Sequence, residues 1–374
     1  MLDWLRSRTE ALTSEVCRLV EQESPSHDKA AVDQLGRMLA GRFRGLGAVV
    51  RLIENQTGGD PVMGELPGAE GAPPALVLGH HDTVWPVGTL ARMPIREEEG
   101  RLYGPGVFDM KANLVVFAAA CEAVAALGLG FPRPIRFLFS SDEEIGSPSS
   151  RPVVEAAAAG AAYVLVLEPP LADGSLKTAR KGVGQFTLEV RGRSAHAGVE
   201  PERGASAIVE LAHLLIQLQS LNNPAAGITL NVGLIEGGTA VNVVPESARA
   251  RLDIRVATTA AAAAVERSLA SLPTTIPGTS FTVSGSFNRP PMERTPQIAR
   301  LFENARVLAR RLDRELTEGS TGGGSDGNFT AALGIPTLDG LGVRGGGAHA
   351  ADEHIEIASL PEQAALLALL LLNL

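Results

Sequence analysis

Cysteine is scarce: Cys17 and Cys121 are the only two in 374 residues, and both fall in helix-like segments. That excludes a disulfide framework and fits a reducing cytoplasm. No apolar run reaches about 18 residues, so the sequence predicts no membrane span. The opening residues, Met-Leu-Asp-Trp-Leu-Arg-Ser-Arg-Thr-Glu, are acidic and polar where a secretory signal needs an apolar core. Cytoplasmic location is the expectation. Positive charge is also short. The 33 Lys and Arg against 42 Asp and Glu leave a net charge of -9, which favours solubility and argues against a nucleic-acid partner. Lysine itself is limited to Lys29, Lys111, Lys177 and Lys181. There is no internal repeat and no low-complexity tract.

What is present is a soluble globular composition, 45% apolar and 20% charged, in a chain long enough for two domains. Residues 3–22 and 28–46 have helical spacing, separated by Ser-Pro-Ser-His-Asp, a natural break and cap. Buried-strand patterns then alternate with helices: a strand over 74–79, a helix over 111–127, and strands over 134–140 and 163–167. This predicts a mainly parallel sheet flanked by helices. The texture changes near residue 182. Gln185–Arg191 alternates apolar and polar, and a β-α-β-β-α-β order follows: a helix at about 203–220, strands near 228–235 and 248–256, a helix over about 259–270 and a strand near 279–285. The expectation is an α/β fold whose first domain, 1–181 and 290–374, is interrupted by an inserted α+β domain, 182–289.

Seven histidines offer candidate chemistry. His80 stands in Gly79-His-His-Asp-Thr-Val84 just past a buried strand, where open α/β sheets bind ligands. Asp82, two residues on, suits a carboxylate that orients a ligating imidazole. Asp109 follows a Gly-Pro-Gly turn, where an N-cap is the competing reading. Ser140-Ser-Asp-Glu-Glu-Ile-Gly146 puts three acids directly after a strand, an arrangement a cation or solvent must relieve. Glu143 and Glu144 could divide the work, one binding metal while its neighbour handles protons. Glu168 ends the next strand, and His349 lies in the Gly-rich stretch Gly345-Gly-Gly-Ala-His-Ala-Ala-Asp352. Singly, each signal has a structural explanation. Together, His80, Asp109, Glu144, Glu168 and His349 fall at or beyond strand ends on one side of the expected sheet. Such a mixed N/O set suits zinc, with one carboxylate bridging a metal pair. His196, in Gly192-Arg-Ser-Ala-His-Ala-Gly198, could reach a neighbour's active site. His27, His81 and His213 read as structural, and His354 as a surface or supporting residue.

These motifs, in this order, resemble the co-catalytic zinc family of glutamate carboxypeptidases, aminoacylases and succinyl-diaminopimelate desuccinylases. The resemblance runs from Gln22-Glu-Ser-Pro-Ser26 to the last helix, and looks closest to the glutamate carboxypeptidase branch through Thr321-Gly-Gly-Gly-Ser-Asp326 and Asn242-Val-Val-Pro245. It implies two zinc ions per subunit: His80 and Glu168 on one, Glu144 and His349 on the other, Asp109 bridging both, with a cis peptide to Met110. Asp82 would orient His80, and Glu143 would be the general base and acid. The inserted domain would form a homodimer and partly cover the site, with His196 stabilising the oxyanion. Asn242 and Arg255 match positions that hold a substrate carboxylate, and Arg289 and Gly324 match weaker substrate contacts. The lysine that branch uses for the carboxylate has no match in register; Lys177, Arg180 and Lys181 lie around its place. The implied substrate is a small peptide or an N-acyl amino acid.

Three rival readings stand beside this one. Gly323-Gly-Ser-Asp-Gly327 fits a nucleophile elbow around Ser325, with Asp339 and His349 following, although the residues before it are polar. A non-catalytic metal-binding protein would be expected to have lost a ligand or the base, and none is lost. An aminoacylase-like enzyme would use the same residues. The glycine run is no phosphate loop, because no Gly-Lys-Ser/Thr follows it.

Overall fold

The computed structural model describes residues 1–374, which divide into two compact units. The first comprises Met1–Ala179, Arg294–Thr321 and Ser325–Leu374; the second comprises Arg180–Glu293 and Gly322–Gly324.

The first unit is built on a six-stranded sheet in the order Val49–Leu52, Val62–Leu66, Ile135–Ser140, Ala75–His80, Tyr163–Val166, Thr337–Leu338. The last four run parallel, and the first two add an antiparallel edge. The central strands are buried on both faces, which is why they read as continuous apolar runs. One face packs Val77, Phe137, Phe139 and Leu165 against helices Thr9–Glu21, Lys29–Gly45, Ala112–Ala126 and Ser359–Asn373. Phe43, Phe117, Phe137 and Phe139 form its aromatic centre, with Phe43 and Phe137 centroids 4.5 Å apart. The other face packs Leu76, Leu78, Leu138, Val164 and Val166 against Val154, Ala157, Ala158 and Phe329. Gly64 admits the Phe137 ring, since a Cβ there would lie 2.2 Å from it.

The second unit is a four-stranded antiparallel sheet in the order Thr229–Gly237, Ser247–Val256, Gly182–Arg191, Ser280–Arg289. Helices Ala207–Gln219 and Thr259–Ala270 close its core, in which Leu188, Leu211, Leu214, Leu252, Ile254 and Val265 are buried. No helix of the chain is long and apolar enough to cross a membrane.

Some elements differ from the expectation. The first helix is two, Leu2–Arg6 and Thr9–Glu21, because the chain leaves helical geometry at Arg8 (φ -110°, ψ 8°), whose N–H turns to the Leu5 carbonyl (3.0 Å). The helix expected from 203 starts at Ala207, where Ser206 caps the Val209 N–H. The antiparallel edge strands and a small sheet of Gly345–Gly346, His354–Glu356, Arg101–Tyr103 and Arg96–Glu98 were not foreseen.

Candidate metal centre

Three neighbouring parallel strands of the first unit end together, and each delivers an acid or a histidine. His80 closes Ala75–His80 opposite Ser140, after which come Asp142, Glu143 and Glu144; Glu168 lies just past Val166. Asp109 sits in the turn Val107–Lys111 that feeds helix Ala112–Ala126, and its peptide to Met110 is cis. His349, in left-handed backbone, lies between strands Gly345–Gly346 and His354–Glu356.

These side chains converge. His80 Nε2 is 3.0 Å from Asp109 Oδ1 and 3.6 Å from Glu168 Oε1. His349 Nε2 is 3.5 Å from Asp109 Oδ2 and 3.1 Å from Glu144 Oε2. The two oxygens of one carboxylate therefore face two different imidazoles. In the overlapping sets His80–Asp109–Glu144 and His80–Glu143–Glu168, the potential ligand atoms lie within 4.8 Å of one another. Imidazole nitrogen with several carboxylate oxygens is a donor set that fits a divalent ion such as zinc.

The surroundings aim these groups. His80 Nδ1 lies 3.0 Å from the Asp82 main-chain carbonyl, which can only accept, so Nδ1 carries the proton and Nε2 offers its lone pair inward. The Asp82 carboxylate, fully buried, lies 3.5 Å from the same Nδ1. Its Oδ2 accepts from Ser26 Oγ (2.7 Å) and from the Glu144 N–H (3.2 Å), and its Oδ1 accepts from the Glu143 N–H (3.1 Å). Asp82 thus touches the segments of three candidate residues at once.

Charge reinforces the geometry. Burial works against ionisation of Asp109, yet the facing His349 and His80 hold it below the usual carboxylate range. Burial, with the Asp109 charge adding, pushes Glu144 up to about 7. Hydrogen bonds to Asp109 and Glu144 raise His349 to about 10. His80 is raised despite its burial by Asp109 and Asp82. His81, read as structural, is fully buried and lowered to about 4 by that burial.

Residues 76–373 match the sequence model of peptidase family M20/M25/M40. The chain belongs to this family. It is similar to carboxypeptidase G2 of Pseudomonas sp. (strain RS-16), 29% identical over 364 residues that cover 96% of this chain and 88% of that protein. A succinyl-diaminopimelate desuccinylase of Burkholderia ambifaria (strain MC40-6) is 31% identical over 315 residues, covering 78% of this chain and 80% of that one. In fold, it resembles a dinuclear metal binding peptidase of the M20 family from Bacillus subtilis, with a TM-score of 0.71 at 14% identity and 98% of each chain covered. This M20 protein is therefore an enzyme of the peptidase and amidohydrolase class.

The remaining expected site residues of the M20 chain belong to its second unit. His196 and Asn242 lie on adjoining segments: Val243 bridges to His196, and the Ala197 N–H donates to the Asn242 carbonyl (3.0 Å). The His196 ring is exposed, and its Nδ1 accepts the Gly198 N–H (3.1 Å), which puts the ring proton on Nε2. Arg255, Arg289 and Gly324 meet around the glycine run. Arg255 pairs with Asp253 (2.9 Å) and donates to the Gly322 carbonyl (2.8 Å). A Cβ at Gly324 would lie 2.6 Å from Arg289 Cδ. Arg180, one of the cations out of register, donates to the carbonyls of Gly323 and Gly324.

The serine-hydrolase alternative loses its nucleophile. A short strand, Glu318–Thr321, does precede the glycines, but Ser325 is fully buried and donates to Asp339 Oδ2 (2.7 Å). His349 is engaged with Asp109 and Glu144 instead. Sequence reasoning missed two supporting residues, Ser26 on Asp82 and Glu353 behind the Asp109 turn. Neither carries a periodicity or motif of its own; both act on main chain or carboxylates distant in sequence.

Proposed function

We propose that this M20 enzyme holds two zinc ions and hydrolyses an amide bond beside a free carboxylate, as a glutamate carboxypeptidase-like exopeptidase. The observation that carries the metal reading is the Asp109 carboxylate, one oxygen toward His80 and the other toward His349. His80 and Glu168 would hold one ion, Glu144 and His349 the other, and Asp109 both. Bound there, the ions would polarise the amide carbonyl and make a water acidic enough to attack near neutral pH. Glu143 would take the proton from the attacking water and return it to the leaving amine, its main chain held by Asp82. The exposed His196, with its proton on Nε2, is suited to donate to the tetrahedral oxyanion, a contribution worth about 3 kcal/mol for a single donor. Asn242 and Arg255 would receive the substrate carboxylate, with Arg289 and Gly324 as weaker contacts. Arg255 would exchange its Asp253 partner for the substrate.

The similarity to carboxypeptidase G2 over nearly the whole chain supports a carboxypeptidase-type cleavage, for which we propose a glutamate-terminal peptide or folyl-type conjugate as substrate. The similarity to a desuccinylase supports a second reading, removal of the acyl group from an N-acyl amino acid. A panel of N-acyl-glutamate, N-acyl-aspartate, neutral N-acyl amino acids and folyl-type conjugates on the zinc-loaded enzyme separates them. Hydrolysis confined to glutamate-terminal substrates upholds the first reading, and turnover of neutral N-acyl amino acids the second. Activity that survives complete chelation sinks both.

The second unit would serve as a dimerisation and lid domain. Ile208, Val209 and Ile216 on its first helix and Leu234 and Ile235 on its edge strand are exposed, an apolar face that suits a second copy of the chain. Sedimentation of the wild type and of Ile235→Lys tests this; a wild-type monomer refutes it. The two cysteines, free and one of them buried, support a cytoplasmic setting.

A further inference from the structure

We propose that Glu353 is a positioning residue that presents Asp109 to both halves of the metal pair; the inference rests on the two-metal reading above. The Glu353 side chain is fully buried. Its Oε1 accepts the main-chain N–H of Phe108 (2.9 Å) and of Asp109 (3.1 Å). Its Oε2 accepts the Gly106 N–H (2.9 Å) and the Trp85 indole N–H (2.7 Å). A carboxylate has about four acceptor positions, and here four donors use them. That saturation is what makes a buried negative charge tolerable at this place. Lys111, itself buried, donates from its Nζ to the Gln22 carbonyl (2.7 Å) and makes none of the four bonds to Glu353.

The turn needs such an anchor. Gly106 is in left-handed backbone, and a Cβ on it would lie 2.6 Å from Thr83 Cγ2, so the turn is tight against its neighbour. Three of its N–H groups point at one carboxylate and find their acceptor there. The main chain also runs back, the Gly104 N–H donating to the Glu353 carbonyl (3.2 Å). Glu353 lies shortly after His349 in the same connection between strands Gly345–Gly346 and His354–Glu356. One side chain therefore ties the loop bearing His349 to the turn bearing Asp109. If the turn rotates, Asp109 can no longer face His80 with one oxygen and His349 with the other, and the affinity for metal falls. Hydrogen bonds that support a ligand from behind are worth about 10–100-fold in metal affinity.

Glu353→Gln keeps the shape but sets an NH2 group against two N–H donors. The test is zinc titration of the chelated full-length protein, by calorimetry, for wild type, Glu353→Gln, Trp85→Phe and Leu367→Ala. Leu367 is buried in the last helix and makes none of these hydrogen bonds, so its truncation destabilises the fold while leaving the four donors to Glu353 in place. Glu353→Gln is expected to bind at least one zinc about 10–100-fold more weakly. Trp85→Phe, which removes one donor of four, should show a smaller weakening, and Leu367→Ala none. Wild-type affinity in folded Glu353→Gln overturns the proposal, as does an equal weakening in Leu367→Ala. Should Glu353→Gln fail to fold, Trp85→Phe decides, and unchanged affinity there is the overturning result. A wild type that binds no metal pair sinks the two-metal reading instead, a distinct outcome.

Discussion

The Asp82 carboxylate accepts the main-chain N–H of Glu143 at 3.1 Å, so the residue that steadies His80 also steadies the residue proposed as base. Asp82→Asn replaces one acceptor oxygen by a donor in a fully buried position. Metal affinity should fall about 10–100-fold. At saturating zinc kcat should remain low, because the Glu143 segment has lost its hold. Recovery of full kcat on adding metal would confine Asp82 to the imidazole alone.

Glu143→Gln separates binding from chemistry. Zinc content should remain that of the wild type, while kcat drops by about 10²–10⁴-fold, the range of general acid–base catalysis. Metal content is read by atomic absorption and turnover on the best substrate of the panel. Near-normal turnover would remove Glu143 from its role.

Metal binding should release protons. His349 is raised from 6.5 to about 10 by its carboxylate partners, so from neutrality up to about pH 10 it carries a proton that a metal must displace. Glu144, pushed up to about 7 chiefly by burial, adds a second proton below that pH. Zinc affinity should therefore climb as pH rises, more steeply below about 7 than above it. Calorimetry in buffers of different ionisation heat measures the protons directly; an affinity independent of pH would contradict the assignment of both ligands.

Ser325→Ala should leave kcat unchanged and lower stability by about 1–3 kcal/mol, since Asp339 loses a buried hydrogen-bond donor. Thermal melting and a serine-directed inhibitor check this. Inhibition by the reagent would restore the hydrolase alternative.

What could be read from the sequence follows what each signal depends on. Strands 75–80, 135–140 and 163–166 announce themselves because both faces are buried and nearly every position is apolar, Arg136 and the strand-end His80 and Ser140 excepted. Val62–Leu66 does not, because Gly64 and Glu65 interrupt a five-residue run whose glycine exists for the Phe137 ring. Arg96–Glu98 is wholly exposed and polar, and only its pairing with Arg101–Tyr103 makes it a strand. Of the five expected ligands, His80, Glu144 and Glu168 do follow the ends of neighbouring parallel strands, a property of sheet topology, whereas Asp109 comes from the turn before helix Ala112–Ala126 and His349 from a loop of the small sheet. Glu353 was not legible, because its partner Phe108 lies 245 residues away and offers a main-chain group. No side-chain pattern encodes that contact.

The five expected ligands are not equally sheltered. The His80 side chain is 1% exposed at the end of a central strand, whereas His349 is 49% exposed on a loop. Local opening is easiest where few apolar contacts hold the chain. Two ions bound as proposed above would then have different residence times: the one held by His349 would exchange with solvent first, and the one beside His80 would stay until the sheet end itself opens. A chelator pulse would accordingly pass through a half-loaded enzyme, with the sheet-bound ion leaving last.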